Sequence, residues 1–185
     1  TDETRVPNPL PEIMKLKAGS GVIVRHYLFG NKIALAKAIQ LVCRERRLLF
    51  LVGGDFELAR KLDADGIHLP DHSLKTPTLA IRAWQQRPNK LVTAAVHSAR
   101  SLLKCDALGV DAALISPVFT TKSHTETENN KKTLGILGLI KMSRLCRVPV
   151  YALGGITNKN AIQLLKSRVI GIAGIGIVGN AGKMF

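Results

Sequence analysis

Acidic and aromatic residues are both scarce in this chain of 185 residues. Asp and Glu number 13 against 27 Lys and Arg, the formal net charge is +14, and aromatic residues make up 4%. Such a surplus suits nucleic-acid binding, but the basic residues are spread along the chain, and no basic strand carries the rings on which bases stack. The largest basic group, Arg44, Arg46 and Arg47, ends a predicted helix, where cations stabilise the helix dipole. We therefore predict no nucleic-acid partner and expect an anionic small substrate.

Long hydrophobic runs and paired cysteines are also missing. The most apolar stretch, 169–178, is shorter than the roughly 18 to 20 residues that span a bilayer. The first residues lack the basic and apolar regions of a secretory signal. Cys43, Cys105 and Cys146 are far apart and lack metal-ligand spacing, which indicates reduced thiols buried on helices. These absences predict a cytoplasmic protein without membrane association, folded as one domain over residues 1–185.

Short apolar runs alternate along the chain with segments of helical periodicity. The apolar runs predict strands over 22–26, 48–52, 66–69, 90–97, 112–119, 149–153 and 170–178. The periodic segments predict helices over 32–43, 56–62, 77–84, 98–108 (with Ser98 as the N-cap), 133–145 and 158–166. Strands that are apolar on both faces and joined by helices are typical of a parallel sheet.

Glycine placement favours a barrel over an open doubly wound sheet. An open nucleotide-binding sheet has its glycine-rich loop after the first strand, whereas a (β/α) barrel binds phosphate after its last two strands. Here the glycines follow or lie in the last two strands: Gly154, Gly155, Gly171, Gly174 and Gly176. Glycine lets backbone N–H groups approach an anion, so we expect a side chain at position 155 to intrude on a bound phosphate. Close packing of the backbone is the alternative reason for these glycines.

We predict an α/β fold of the (β/α)8 TIM barrel type, with one strand missing. The pattern contains seven strands, and Thr1 and Asp2 would directly follow a first strand that this chain lacks. The helix after the last strand is short. A barrel without one strand exposes two sheet edges, which an upstream segment, a partner subunit or both would cover. Formation of a homo-oligomer is therefore one of the possible ways in which these edges are covered.

Polar residues gather where the predicted strand 112–119 ends. The segment "SPVFTTKSH" (116–124) passes from apolar residues to hydroxyls and cations, which indicates either a solvated loop or a loop that closes over an anionic ligand.

Five segments in order resemble the thiamine-phosphate synthase family and its thiazole tautomerase relatives. They are "ADGIHLP" (64–70), "TAAVHS" (93–98), "SPVFTTKSH" (116–124), "VYALGGI" (150–156) and "GIAGIGIV" (171–178). The resemblance implies a (β/α)8 barrel and a transferase that joins an aminopyrimidine methyl diphosphate to a hydroxyethylthiazole phosphate. It also implies Mg²⁺ and cationic side chains at the leaving diphosphate.

The resemblance assigns a phosphate-binding group, which this chain largely keeps. Its members supply backbone N–H or hydroxyl donors: Thr121, Ser123, Gly154, Gly155, Ile175 and Gly176. On this basis the loop 120–124 is expected to close over a phosphorylated ligand.

The diphosphate half of the family's site is changed in this chain. Arg25 matches a family arginine, but the two metal carboxylate positions fall on Gly54 and Ser73. Asp55 and Asp71 lie close in sequence to these positions and are the candidate substitutes, although Asp55 could instead cap the helix near residue 56.

Other side chains near the predicted strand ends have candidate roles. Lys122 and His124 are candidates to supply a cation or a proton. His68 and His97 lie on predicted strands and are interpreted as hydrogen-bonded core residues.

Three functions remain open at this point. A thiamine-phosphate synthase with a divergent metal site is the main interpretation. A thiazole phosphate tautomerase needs a proton shuttle and no metal, so the missing carboxylates would not affect it. A non-catalytic barrel that binds thiazole or thiamine phosphate is the third. All three predict phosphorylated small molecules as ligands.

Overall fold

The computed structural model describes residues 1–26, 32–75, 78–120 and 133–175, which form one parallel sheet with helices. The seven strands are β1 (Gly21–Val24), β2 (Leu49–Gly53), β3 (Gly66–Leu69), β4 (Leu91–Val96), β5 (Ala112–Ile115), β6 (Val150–Leu153) and β7 (Val169–Ala173). Every strand pairs in parallel with the next one along the chain. This sequential order is that of a (β/α) barrel wall, whereas the order of a doubly wound sheet reverses. The predicted α/β class is confirmed.

Helices connect successive strands, as parallel pairing requires. The connecting α-helices are α2 (Lys32–Arg46), α3 (Phe56–Lys61), α4 (Leu79–Gln85), α5 (Ala99–Leu108) and α6 (Gly135–Ser143), and a short helix α1 (Leu10–Ile13) precedes β1. Two short 3₁₀ helices, Asp71–Lys75 and Ala161–Lys166, follow β3 and β6. No helix among the described segments is long and apolar enough to cross a membrane.

Three helices begin at a residue whose side chain caps the first turn. Asp55, Thr78 and Ser98 each accept a hydrogen bond from the backbone N–H three residues later. Such a bond satisfies one of the N–H groups that a helix leaves without a partner. Gly109 ends α5 in the left-handed conformation, with φ of 63°. The predicted cap at Ser98 and the alternative role of Asp55 as a cap are both confirmed.

The Ser98→Ala variant should lower the free energy of unfolding by about 1 kcal/mol, because it removes the cap of α5. The Ser98 hydroxyl oxygen lies 3.1 Å from the Ser101 nitrogen. Urea unfolding of the variant measures this cost. Ser98→Asp is the control, since aspartate also caps and its charge suits a helix N-terminus. Equal losses in both variants would contradict the capping role.

The two faces of the sheet differ in what they contact. Residues such as Phe50, Val52 and Ile67 belong to the main hydrophobic core beneath the helices. Their neighbours along the strands point to the opposite face, because side chains alternate along a strand. On that second face His68 and Thr93, which are paired in register, lie in hydrogen-bond contact. We call this second face the inner face.

The amino ends of two strand pairs are joined by the same contact. Asp65 donates its backbone N–H to the Phe50 carbonyl and accepts the Phe50 N–H on its carboxylate, at 2.9 and 2.8 Å. Asp111 makes the same two bonds with Val92, both at 2.7 Å. Each aspartate precedes a strand and extends its pairing by one residue, so these carboxylates stabilise the sheet at the edge where strands begin.

Several predicted elements are shorter than expected, among them the last strand, predicted over 170–178, which ends at Ala173. The strand predicted over 112–119 ends at Ile115, since Pro117 has no N–H to donate to a neighbouring strand. The helix predicted over 158–166 is a 3₁₀ helix that begins at Ala161. The Asn160 side chain instead holds a turn, because it accepts from the Thr157 N–H and donates to the Gly155 carbonyl.

Two of the three thiols are buried as predicted. Cys43 on α2 and Cys105 on α5 are buried, and this burial raises the pKa of each to about 12. Cys146 differs from the prediction, because it follows α6 and is partly exposed.

Candidate active site

The carboxyl ends of all seven strands lie at one edge of the sheet, because every pair is parallel. We call this the carboxyl edge. The segments that continue from it include Arg25, Gly54, Asp71, His97 and Gly155. In parallel α/β folds, ligands bind at this edge.

Hydrogen bonds link neighbouring segments along the carboxyl edge. The Gly54 N–H donates to the His68 carbonyl at 2.9 Å, and the Phe119 N–H donates to the Gly154 carbonyl at 3.0 Å. The His97 N–H donates to the Asp71 carboxylate at 3.0 Å. These bonds fix the relative positions of residues that are distant in sequence, as a preformed site requires.

Arg25 follows β1 and carries a buried donor that lacks an acceptor. Its Nε atom is buried and has no hydrogen-bond partner among the described residues. Its Nη2 atom is 3.9 Å from an Asp2 carboxylate oxygen, which is too far for a hydrogen bond. A buried guanidinium donor without an acceptor is costly, so this atom is suited to bind an anionic ligand.

His68 lies on the inner face at the end of β3. Its side chain is buried, and its Nδ1 atom is 2.9 Å from the Thr93 hydroxyl oxygen. Burial, together with the positive charge of Arg25, lowers the pKa of His68 to about 4. The ring is therefore neutral near pH 7, and the prediction of a hydrogen-bonded core histidine is confirmed for this residue.

His97 differs from that prediction. It lies one residue beyond β4 and is exposed. The strand ends at Val96 because the His97 N–H bonds to Asp71 instead of continuing the ladder. The ring Nδ1 donates to the Ser116 carbonyl at 2.9 Å, since a carbonyl can only accept. This bond leaves Nε2 for a contact at the carboxyl edge.

Gly154 and Gly155 have left-handed φ angles of 97° and 64°. A Cβ on Gly154 would lie 3.0 Å from Pro117 Cα, and one on Gly155 would lie 2.3 Å from the Thr120 carbonyl oxygen. The expectation that a side chain at Gly155 would meet the ligand is therefore wrong in its reason, because the nearest atoms belong to the segment after β5. Close backbone packing explains both glycines, and their predicted contact with phosphate stays a prediction.

The remaining predicted phosphate and proton-transfer residues lie mostly outside the described residues. This holds for Thr121, Lys122, Ser123, His124 and Gly176. Ile175 is described, follows β7 and is half-buried.

A sequence model described as thiamine monophosphate synthase matches residues 21–178. The chain belongs to the thiamine monophosphate synthase family. The thiamine-phosphate synthase of Pyrococcus furiosus is 32% identical over 78% of this chain and 66% of its own length. That of Chlorobium luteolum is 31% identical over 98% of this chain and 84% of its own length.

The fold of this family member also matches a solved structure. The thiamine phosphate pyrophosphorylase from Pyrococcus furiosus superposes with a TM-score of 0.72 at 24% identity, covering 96% of this chain and 82% of that one. This superposition supports the fold, whereas the sequence model and the two relatives confirm the predicted family.

The magnesium site that the family implies does not fit the described residues. Gly54 and Ser73 occupy the expected carboxylate positions. Asp55 caps α3 through the Leu58 N–H and also pairs with Lys32, while Asp71 accepts from the His97 N–H. Among the residues that the structure describes, no three His, Cys, Asp or Glu side chains form a group able to hold a metal. Magnesium is usually bound through one or two carboxylates, and both oxygens of Asp55 are already engaged.

The contacts of the Asp55 carboxyl group also determine its protonation state. Burial would raise the pKa of Asp55, but the Leu58 N–H and the Lys32 ammonium outweigh it, and the pKa is lowered. The carboxylate is therefore negative and engaged at neutral pH.

Sequence reasoning missed Lys32 and Thr93 at this family member's site. Thr93 could have been found from strand register, since it pairs with His68. Lys32 had no such signal, because only the fold brings the start of α2 to the Asp55 side chain.

Proposed function

We propose that this chain is a thiamine-phosphate synthase-like transferase of thiamine biosynthesis. The observation that carries the proposal is the family match over residues 21–178, which includes the whole parallel sheet. The relatives named above are synthases, and none of these comparisons favours the tautomerase or the non-catalytic alternative. The proposed substrates are an aminopyrimidine methyl diphosphate and a hydroxyethylthiazole phosphate.

The proposed reaction is a substitution at the methylene carbon of the pyrimidine substrate. Its C–O bond to the diphosphate breaks, the diphosphate takes the electron pair, and the thiazole nitrogen forms the new C–N bond. The developing charge on the leaving group needs fixed positive donors. Arg25 supplies one, because its buried Nε–H lacks an acceptor among the described residues.

The second substrate is assigned to the other end of the sheet. Its phosphate is proposed to bind the backbone at Gly154, Gly155, Ile175 and Gly176, with Thr121 and Ser123 as hydroxyl donors. Lys122 and His124 are proposed to supply a cation and a proton near the reacting atoms. The support is the family resemblance of these positions together with the location of Gly154, Gly155 and Ile175 beyond β6 and β7.

The proposed enzyme is a (β/α)8 barrel that works in the cytoplasm as one domain. An eighth strand between β1 and β7 would close the sheet. The Thr1 nitrogen donates to the Ile23 carbonyl at 2.5 Å, and the Arg25 N–H donates to the Thr1 hydroxyl at 3.0 Å. Thr1 thus already lies against the edge of β1 where a further strand would pair.

An assay for thiamine phosphate from both substrates, with and without magnesium, tests this function. Product formation is the expected result. Binding of the thiazole phosphate without product at any magnesium concentration would overturn the synthase proposal.

The Arg25→Gln variant should form product at least about tenfold more slowly, since a hydrogen bond to a charged group contributes about 1.5–3 kcal/mol. Its affinity for hydroxyethylthiazole phosphate, measured by calorimetry, should stay within about twofold of the unaltered protein. Equal loss of rate and of thiazole phosphate affinity would place Arg25 outside the diphosphate half of the site.

A further inference from the structure

An ion pair lies where the family would bind its metal. α2 begins at Lys32, whose Nζ is 3.0 Å from the Asp55 Oδ2 atom. The Asp55 Oδ1 atom accepts the Leu58 N–H at 2.9 Å. Because the carboxylate is fixed by the cap of α3, it also fixes the ammonium at the carboxyl edge of β2. A long lysine side chain seldom holds one position without such a partner.

Arg25 and Lys32 both lie close to the segment after β2, which contains the glycine that replaces the first metal carboxylate. Val24, the last residue of β1, pairs with Val52, so Arg25 and Gly53 each directly follow a paired residue. Lys32 contacts Asp55, the residue that follows Gly54. Gly54, where the family has a carboxylate, therefore offers no side chain. A basic residue lies close to each of its chain neighbours, Arg25 to Gly53 and Lys32 to Asp55.

Both basic side chains have N–H donors that are available for a ligand. An ammonium has three N–H donors, and Asp55 accepts one from Lys32. The Arg25 Nε–H is buried without an acceptor in the described ranges. Charge-assisted hydrogen bonds from such groups are strong ligands for phosphate oxygens.

We propose that Lys32, acting with Arg25, replaces magnesium as the binding group for the diphosphate, so that this chain binds diphosphate without a divalent metal. The inference rests on the proposed function, which supplies the diphosphate substrate. It assigns Asp55 a different role from the predicted metal ligand: the carboxylate holds the lysine in place.

Calorimetry with inorganic pyrophosphate tests the proposal on the full chain, with hydroxyethylthiazole phosphate present to fill the second anion site. The Kd for free pyrophosphate should agree within about twofold in EDTA and in magnesium. Lys32→Gln should weaken binding about tenfold, which matches the loss of one charged hydrogen bond. Lys37→Gln is the matched control, because Lys37 is exposed on the same helix and the net charge changes equally. It should change Kd less than twofold.

The Asp55→Asn variant separates the two roles of Asp55. Asparagine caps a helix as well as aspartate, so the fold should persist. Loss of the negative charge releases the ammonium from its fixed position, so pyrophosphate binding should weaken severalfold, to the same extent in EDTA and in magnesium. Loss of a metal ligand would instead weaken binding in magnesium alone.

Three results would overturn the inference: binding that needs magnesium, no pyrophosphate binding in either condition, or equal effects of Lys32→Gln and Lys37→Gln. Failure of the proposed function looks different. In that case pyrophosphate binds through Lys32 while the assay with both substrates gives no thiamine phosphate.

Discussion

Replacing Gly155 by alanine should lower the free energy of unfolding by about 3–5 kcal/mol. A left-handed φ of 64° costs an L-residue roughly 1–2 kcal/mol. In addition, the new Cβ would lie 2.3 Å from the Thr120 carbonyl oxygen and 2.6 Å from the Phe119 carbonyl carbon. These are backbone atoms that cannot rotate away, so the segment after β5 must move. Urea unfolding measures the loss.

Gly109→Ala is the matched control for this prediction. Gly109 has nearly the same φ, 63°, but a Cβ there meets no atom within 4 Å. The Gly109→Ala variant should lose only the unfolding free energy that the left-handed backbone conformation costs, about 1–2 kcal/mol. Equal losses at both positions would show that the segment after β5 yields easily to a side chain at Gly155.

Acid should destabilise the protein through His68. Its pKa is about 4 in the folded protein because of burial and the nearby Arg25 charge, whereas the ordinary pKa of a histidine is 6.5. Between these pH values the unfolded chain takes up a proton that the folded protein does not. Stability is therefore complete above about pH 6.5 and falls as the pH drops towards 4. At about 1.4 kcal/mol per pKa unit, the loss approaches 3 kcal/mol.

His68→Gln should reduce the slope of unfolding free energy against pH between 6.5 and 4, measured by urea unfolding at several pH values. His72→Gln, the same change at an exposed residue, is the control and should leave the slope unaltered. Burial also lowers the pKa of His26, so part of the acid sensitivity should persist in the His68 variant. An unchanged slope in His68→Gln would contradict the assignment.

Sequence periodicity was enough to predict the strands, because their apolar runs are buried beneath helices. The prediction over 66–69 coincides with β3, and the cap at Ser98 was read from a hydroxyl before a periodic segment. Errors in the predicted strand ends arose where a side chain, and not the neighbouring strand, accepts a backbone N–H. His97 was placed inside the strand predicted over 90–97 by the apolar run, whereas β4 ends at Val96 and the Asp71 carboxylate accepts the His97 N–H.

The candidate site was less predictable, because its contacts join residues far apart in the chain. Arg25 could be assigned by resemblance, but the lack of an acceptor for its Nε depends on side chains from several elements. The same holds for Lys32 and Asp55, which lie 23 positions apart and meet because β1 and β2 are neighbours. The sequence pattern identifies Asp55 as a candidate, but it does not show that the Lys32 ammonium lies beside it.

The paired aspartate contacts at the amino edge have a consequence for protein engineering. Asp65 and Asp111 join β3 to β2 and β5 to β4 at the end of the sheet opposite the candidate site. The carboxylates that hold these strands together are therefore separate from Asp55 and Asp71 at the carboxyl edge. Side chains at the strand ends can be replaced to alter ligand binding while both of these sheet contacts stay in place.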